Sequence, residues 1–140
     1  MKLQDFDFRI WNIQEKHYIT NNPCLVEFNH NPGEIKAGVL LVYEDREHEF
    51  LESWYDDIEI ELWTGLYDKH GKKIYEGDIV KTKSPYDCFL AKVGIHKEGT
   101  FYLESKSRDY IGSLIYLVKD EGYDTEIIGN IHDNPELLKC

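Results

Sequence analysis

Tyr75, Glu76, Gly77 and Asp78 set a phenol beside two carboxylates two residues apart. That spacing would let one carboxylate act as acid and the other as base, or let both hold a cation. The reading the sequence favours is structural: in a G-D-I-V run, Gly77 supplies torsional freedom where a bent strand begins and Asp78 bonds to nearby backbone N–H groups. A second group, Asp68, Lys69, His70, Gly71 and Lys72, offers consecutive backbone N–H groups of the kind that attract phosphate in a turn. The tip of a hairpin, with Gly71 closing it, explains the same residues. Neither GxxxxGK[ST] nor GxGxxG occurs, so nucleotide binding has no motif behind it.

The six histidines, His17, His30, His48, His70, His96 and His132, are far apart, and none forms HExxH or HxH. A metal-dependent enzyme would need His and carboxylate ligands assembled from different strands, which spacing does not show. Cys24, Cys88 and Cys140 are odd in number and contain no CxxC pair, and no serine sits in GxSxG. The sequence therefore predicts no catalytic residue, no cofactor and no metal.

Binding surfaces have more support. From Glu44 to Glu61 the chain holds nine carboxylates and one Lys or Arg, Arg46, interleaved with Phe50, Leu51, Trp54 and Tyr55. Apolar anchors in an acidic rim suit a basic protein partner, and such a surface would also serve to mimic DNA against a host protein. Elsewhere Tyr86, Phe89, Tyr102, Tyr110, Tyr116 and Tyr123 accompany Lys81, Lys83, Lys92, Lys97, Lys106 and Arg108, the composition of a face for single-stranded nucleic acid. The net charge of −11 opposes that reading by repelling phosphate at long range. The acidity is uneven, with fifteen acids against six Lys or Arg in residues 1–70 and twelve against ten in residues 71–140. A local basic patch at Lys69, Lys72, Lys73, Lys81 and Lys83 stays open.

The elements carrying these residues read mainly as strands. Phe6, Phe8 and Ile10 alternate with Asp7 and Arg9, predicting a strand near residues 5–12 and a hairpin back through Tyr18. Leu25 to Phe28 is a further strand, and residues 35–43 are a buried strand or a helix. Phe50, Leu51 and Trp54 at helical spacing predict a short amphipathic helix. Ile58, Ile60 and Leu62 alternate with Glu59 and Glu61. Strands are then predicted from Asp78, at 89–95, 100–104, 113–118 and 125–131, and their recurrence about every ten residues suggests a small barrel or sandwich. Asn134 as N-cap, Pro135 and Glu136 predict a closing helical turn.

A length of 140 residues with 41% hydrophobic and 14% aromatic content suits one compact domain. No apolar run approaches the roughly eighteen residues of a membrane span, and acids near the N-terminus interrupt any signal peptide, so a cytoplasmic protein is expected.

Three separated pieces, FRIWN, TGLYDKHGKKIYEGDIVK and EIIGNIHDNPELL, stand in an order and spacing that resemble the YopX-like family of bacteriophage and prophage proteins. The resemblance covers the frame of the chain; residues 20–56 correspond to its variable part. It implies a mainly β protein with short helices. It implies one domain, divided into an N-terminal β subdomain at 1–64 with the acidic segment and an SH3-like small barrel at 65–140. It implies no reaction and assigns no catalytic residue. The motif positions Thr64, Gly65, Leu66, Asp68, Gly71, Ile74, Tyr75, Glu76, Gly77, Asp78, Ile79, Val80, Gly129, Asn130, Asn134 and Pro135 are expected to serve structure. The resulting expectation is a noncatalytic accessory protein that binds protein or assembles with itself.

Overall fold

The computed structural model describes residues 1–19, 24–29, 33–42, 48–53, 58–105, 107 and 110–138. The chain forms two compact units, Arg9–Ile60 and a second made of Met1–Phe8 with Glu61–Cys140. Among the described residues no helix is long and apolar enough to cross a membrane.

In the Arg9–Ile60 unit, β1 (Phe8–Asn12) turns back into β2 (His17–Tyr18), pairing Trp11 with Tyr18. The turn forms because the Asn12 side-chain oxygen accepts the N–H groups of Gln14 and Glu15, both at 3.0 Å. Arg9 lies over the Tyr18 ring, 4.6 Å from its centroid. A three-stranded antiparallel meander follows: β3 (Cys24–Asn29), β4 (Glu34–Val42) and β5 (His48–Ser53). The open reading of residues 35–43 resolves as a strand over the described residues 35–42. Of the acidic segment expected to be helical, the described residues His48–Ser53 form a strand instead, pairing along β4 from Val42 to Ala37, and its remaining residues lie outside the described ones. Cross-strand hydrogen bonding to a β-branched neighbour outweighs a helical spacing carried by three residues.

In the other unit, β6 (Ile58–Tyr67) from Glu61 onward pairs with β7 (Lys73–Tyr75) across the turn at 68–72. Five further strands make one curled antiparallel sheet: β8 (Asp78–Lys83), β9 (Cys88–Ile95), β10 (Phe101–Ser105), β11 (Tyr110–Ser113) and β12 (Asp124–Asn130). Their order is β11-β10-β9-β8-β12. Register shifts between Leu103 and Glu104 and between Ile127 and Gly129 bend the strands that carry them. Val80, Ala91, Val93 and Leu103 line the inner face and pack with Leu66, Ile74, Leu114 and Leu117 into one core. Phe89, Phe101, Ile111, Val118, Tyr123 and Ile127 close around it.

The strand expected at 113–118 is instead divided between the end of β11 and a π-helical segment, Tyr116–Asp120. Leu114 and Leu117 are both buried while Ile115 and Tyr116 are exposed. A spacing of three reaches the core twice on a helical turn, whereas a strand would have turned Leu114 and Leu117 to opposite faces. The closing turn at Pro135–Leu138 is a 3-10 helix as expected in kind and place.

Candidate functional site

The central motif begins on β6, where the Thr64 hydroxyl donates to the Ile74 carbonyl at 2.8 Å and accepts the Leu66 N–H at 3.2 Å. Gly65 takes a positive φ of 84° within the irregular β6–β7 pairing, and the Leu66 carbonyl accepts the indole N–H of Trp63 at 3.0 Å. Ile74, Ile79 and Val80 are fully buried.

Asp68 organises the hairpin tip. Its Oδ1 accepts the N–H groups of His70 and Lys72, both at 2.9 Å, and its Oδ2 accepts the N–H of Ile127 on β12 at 3.2 Å. Gly71 completes the turn through its own N–H to the Asp68 carbonyl. Burial opposes ionisation of this carboxyl, but N–H donation from Lys72, Ile127 and His70 outweighs it and holds Asp68 below the ordinary carboxylate range. The imagined phosphate loop thus already has an anion in it, the carboxylate of Asp68.

The YEGD segment closes in the same manner. Asp78 accepts the Tyr75 N–H at 2.8 Å, Glu76 N–H donates to the Leu62 carbonyl, and Gly77 N–H donates to Val93. Gly77 has φ 87°, and a Cβ there would stand 2.7 Å from a Glu61 carboxylate oxygen. Glycine is required twice over, for the backbone conformation and for the approach of Glu61.

Glu61 is the residue that sequence reasoning missed. Alternation along β6 assigned it to the acidic outer face, yet it is 3% exposed and lies 2.8 Å from the Nε2 of His132. The third motif piece delivers that imidazole: Asn130 accepts the N–H groups of His132 and Asp133, both at 2.9 Å, fixing the turn after β12. Gly129 precedes it on β12. Asn134 sends its side-chain oxygen back to the Asn130 N–H at 3.3 Å, while its carbonyl accepts Leu137 N–H at the start of the Pro135–Leu138 turn. Asn134 therefore braces the preceding turn with its side chain rather than capping the next one with it. No local pattern marks Glu61 or His132; only the meeting of two distant motif pieces does.

Asp7, Lys73 and Tyr75 form a third polar group. The Asp7 Oδ2 accepts from Tyr75 Oη at 2.6 Å and from Lys73 Nζ at 2.8 Å. Desolvation raises the Asp7 pKa, but these donors together lower it, and the same contact raises that of Lys73. Lys73 also sits 4.5 Å from the Trp63 ring centroid. Among the described residues of this unit, His–carboxylate pairs occur at Glu61–His132 and His70–Glu126.

The basic patch is divided. Lys69, Lys81 and Lys83 line a cleft of about 180 Å³ with Asp124 and Glu126, while Lys73 belongs to the Asp7 group. Hydrogen bonds from His70 and Lys69 lower the Glu126 pKa. The aromatic residues divide too: Phe89 and Tyr123 pack against the core, Tyr86 is 97% exposed, and Tyr116 donates to Glu121. Tyr102 and Tyr110 come together, joined by His96. Of the acidic-segment anchors, Phe50 and Leu51 fall on β5, and Trp54 and Tyr55 lie outside the described residues, as do Lys106 and Arg108.

Two solved structures share this fold. One is the YopX protein of Bacillus subtilis, at 24% identity and TM-score 0.62, covering 94% of this chain and 97% of that one. The other is protein EF1440 of Enterococcus faecalis, at 24% identity and TM-score 0.59, covering 96% and 98%. Comparison with the curated proteins finds no match. The sequence also matches the YopX protein family over residues 7–139, nearly its whole length, and the chain belongs to that family.

Proposed function

We propose that this is a noncatalytic accessory protein of a phage or prophage, acting in the cytoplasm of a bacterial host by binding a protein partner or further copies of itself. In this reading the curled sheet of the C-terminal half is an SH3-like barrel that serves as a scaffold. The observation that carries the proposal is the engagement of the motif's polar side chains. Asp68, Asp78, Asn130 and Asn134 each accept backbone N–H groups. Groups so engaged hold turns.

The partner surface in this reading is the acidic segment, with Phe50, Leu51, Trp54 and Tyr55 as anchors and a basic protein as the complement to a chain of net charge −11. Tagged protein expressed in the host during prophage induction should recover a specific protein that survives nuclease treatment. Replacing the four anchors with serine should abolish the recovery. Recovery that vanishes with nuclease, or that ignores the four substitutions, overturns the reading.

A further inference from the structure

The outer face of the five-stranded sheet carries a continuous ring surface that no motif announced. Alternation along the strands sets the faces: Val80, Ala91, Val93 and Leu103 point into the core, so Lys81, Lys92, Gly94, Tyr102 and Glu104 point out. Tyr102 pairs with Gly94, and a Cβ at Gly94 would lie 2.6 Å from the Tyr102 Cζ. The glycine lets the ring lie down on the backbone of β9. His96, just past the end of β9, stacks on Tyr102 at 4.1 Å between centroids and 20° between planes. Tyr110 on β11 completes the group at 5.9 Å from both rings, and it is 61% exposed.

Cations occupy the same face. Lys81 and Lys83 alternate with buried Val80 and Thr82, stand opposite Glu126 and Asp124 of β12, and with Lys69 and those two carboxylates line the cleft. Lys92 lies between the cleft and the rings, 3.3 Å from Glu104. Two strands lie between β8 and β11, so the lateral distance is about 14 Å at the usual strand spacing, and Lys81 and Lys83 stand two and four residues further along the sheet than Tyr110, a diagonal that about three extended nucleotides cover. The exposed rings of Tyr110 and His96, with lysines further along the same face, complement a strand whose bases are unpaired and whose backbone is anionic. A duplex keeps its base faces to itself and offers this surface only repulsion from the rest of the chain.

We propose that the outer face of β8–β11 binds single-stranded nucleic acid, with bases stacked on Tyr110 and His96, which Tyr102 supports from beneath, and phosphates directed to Lys81 and Lys83. The site needs nothing from the acidic segment, so it stands or falls separately from the protein-binding reading.

The test is fluorescence anisotropy of the full chain with a labelled oligothymidylate in about 50 mM salt, where phosphate contacts are little screened. Wild type should bind, and unlabelled duplex should compete poorly. Tyr110→Ala should weaken binding by about tenfold or more, the usual scale for loss of one stacking ring, and Tyr110→Phe should retain it. Gly94→Ala should weaken binding with every ring still present, and the Lys81→Glu, Lys83→Glu double variant should weaken it and flatten its salt dependence. Tyr86→Ala removes an exposed ring away from the cluster and should change nothing. Circular dichroism of each variant separates loss of the site from loss of the fold. Absence of wild-type binding at about 100 µM protein, equal affinity of folded Tyr110→Ala, equal loss in Tyr86→Ala, or full competition by duplex would each overturn the proposal.

Discussion

The imidazole Nε2 of His132 meets the carboxylate of Glu61 at 2.8 Å although 71 positions separate them in the chain. The pair ties β6 to the turn after β12, and Gly77 lies against the carboxylate that makes it. A bond of this kind, with both side chains largely withdrawn from solvent, constrains the elements around it more than an exposed pair would.

Gly77→Ala should therefore cost more than its backbone conformation alone. Gly99 has nearly the same φ, 90° against 87°, but nothing lies within 4 Å of its missing Cβ. Gly99→Ala is expected to lose about 1–2 kcal/mol from left-handed strain, and Gly77→Ala at least about 1 kcal/mol more from the displaced Glu61. Urea denaturation of both variants checks this, and equal losses would show that Glu61 moves aside freely.

Asp68 predicts a pH dependence. Its pKa is lowered in the folded protein from 3.8, so its contribution to stability is fully present above that value and is lost as the pH falls through the lowered folded value. Asp68→Ala should remove about 2–3 kcal/mol at neutral pH, since three backbone N–H groups lose an ionised acceptor. The gap between variant and wild type should begin to narrow below about pH 4 and go on narrowing as the pH falls further. A constant gap from pH 7 to pH 3 would contradict the assignment.

The helical segment after β11 is tested by neighbouring substitutions. Leu117, 7% exposed, should lose about 2–4 kcal/mol on replacement by alanine. Ile115, 58% exposed, should lose less than about 0.5 kcal/mol. Comparable losses at the two positions would mean that the segment presents both to the core.

Thr82 and Thr125 face one another across β8 and β12, buried, and neither hydroxyl has a hydrogen-bond partner among the described residues. Thr82→Val keeps the shape and removes a desolvated polar group, so stability should rise by about 1 kcal/mol. A lower thermal midpoint in Thr82→Val would show that the hydroxyl is in fact satisfied.

The sequence by itself determined what local physics determines. Alternation near Phe8–Asn12, the strand ending at Ile95, the Asp68–Gly71 turn and the last helical turn beginning at Pro135 were legible, because each depends on strand composition and period or on the chemistry of turn residues, although the Asn134 side chain serves the preceding turn instead of capping. The three motif pieces were enough to indicate the family and a mainly β fold. Tertiary structure decided the rest. His48–Ser53 became a strand because β4 offered it a partner, and Leu114 and Leu117 took a helical turn because the core lay on one side of them. Glu61 left the acidic face because His132 and Gly77 made room for it inside. His96 joined Tyr102 only because the register of β9 on β10 set Gly94 beneath that ring. These outcomes depend on which strands lie side by side and in what register, and no window of neighbouring residues contains that information.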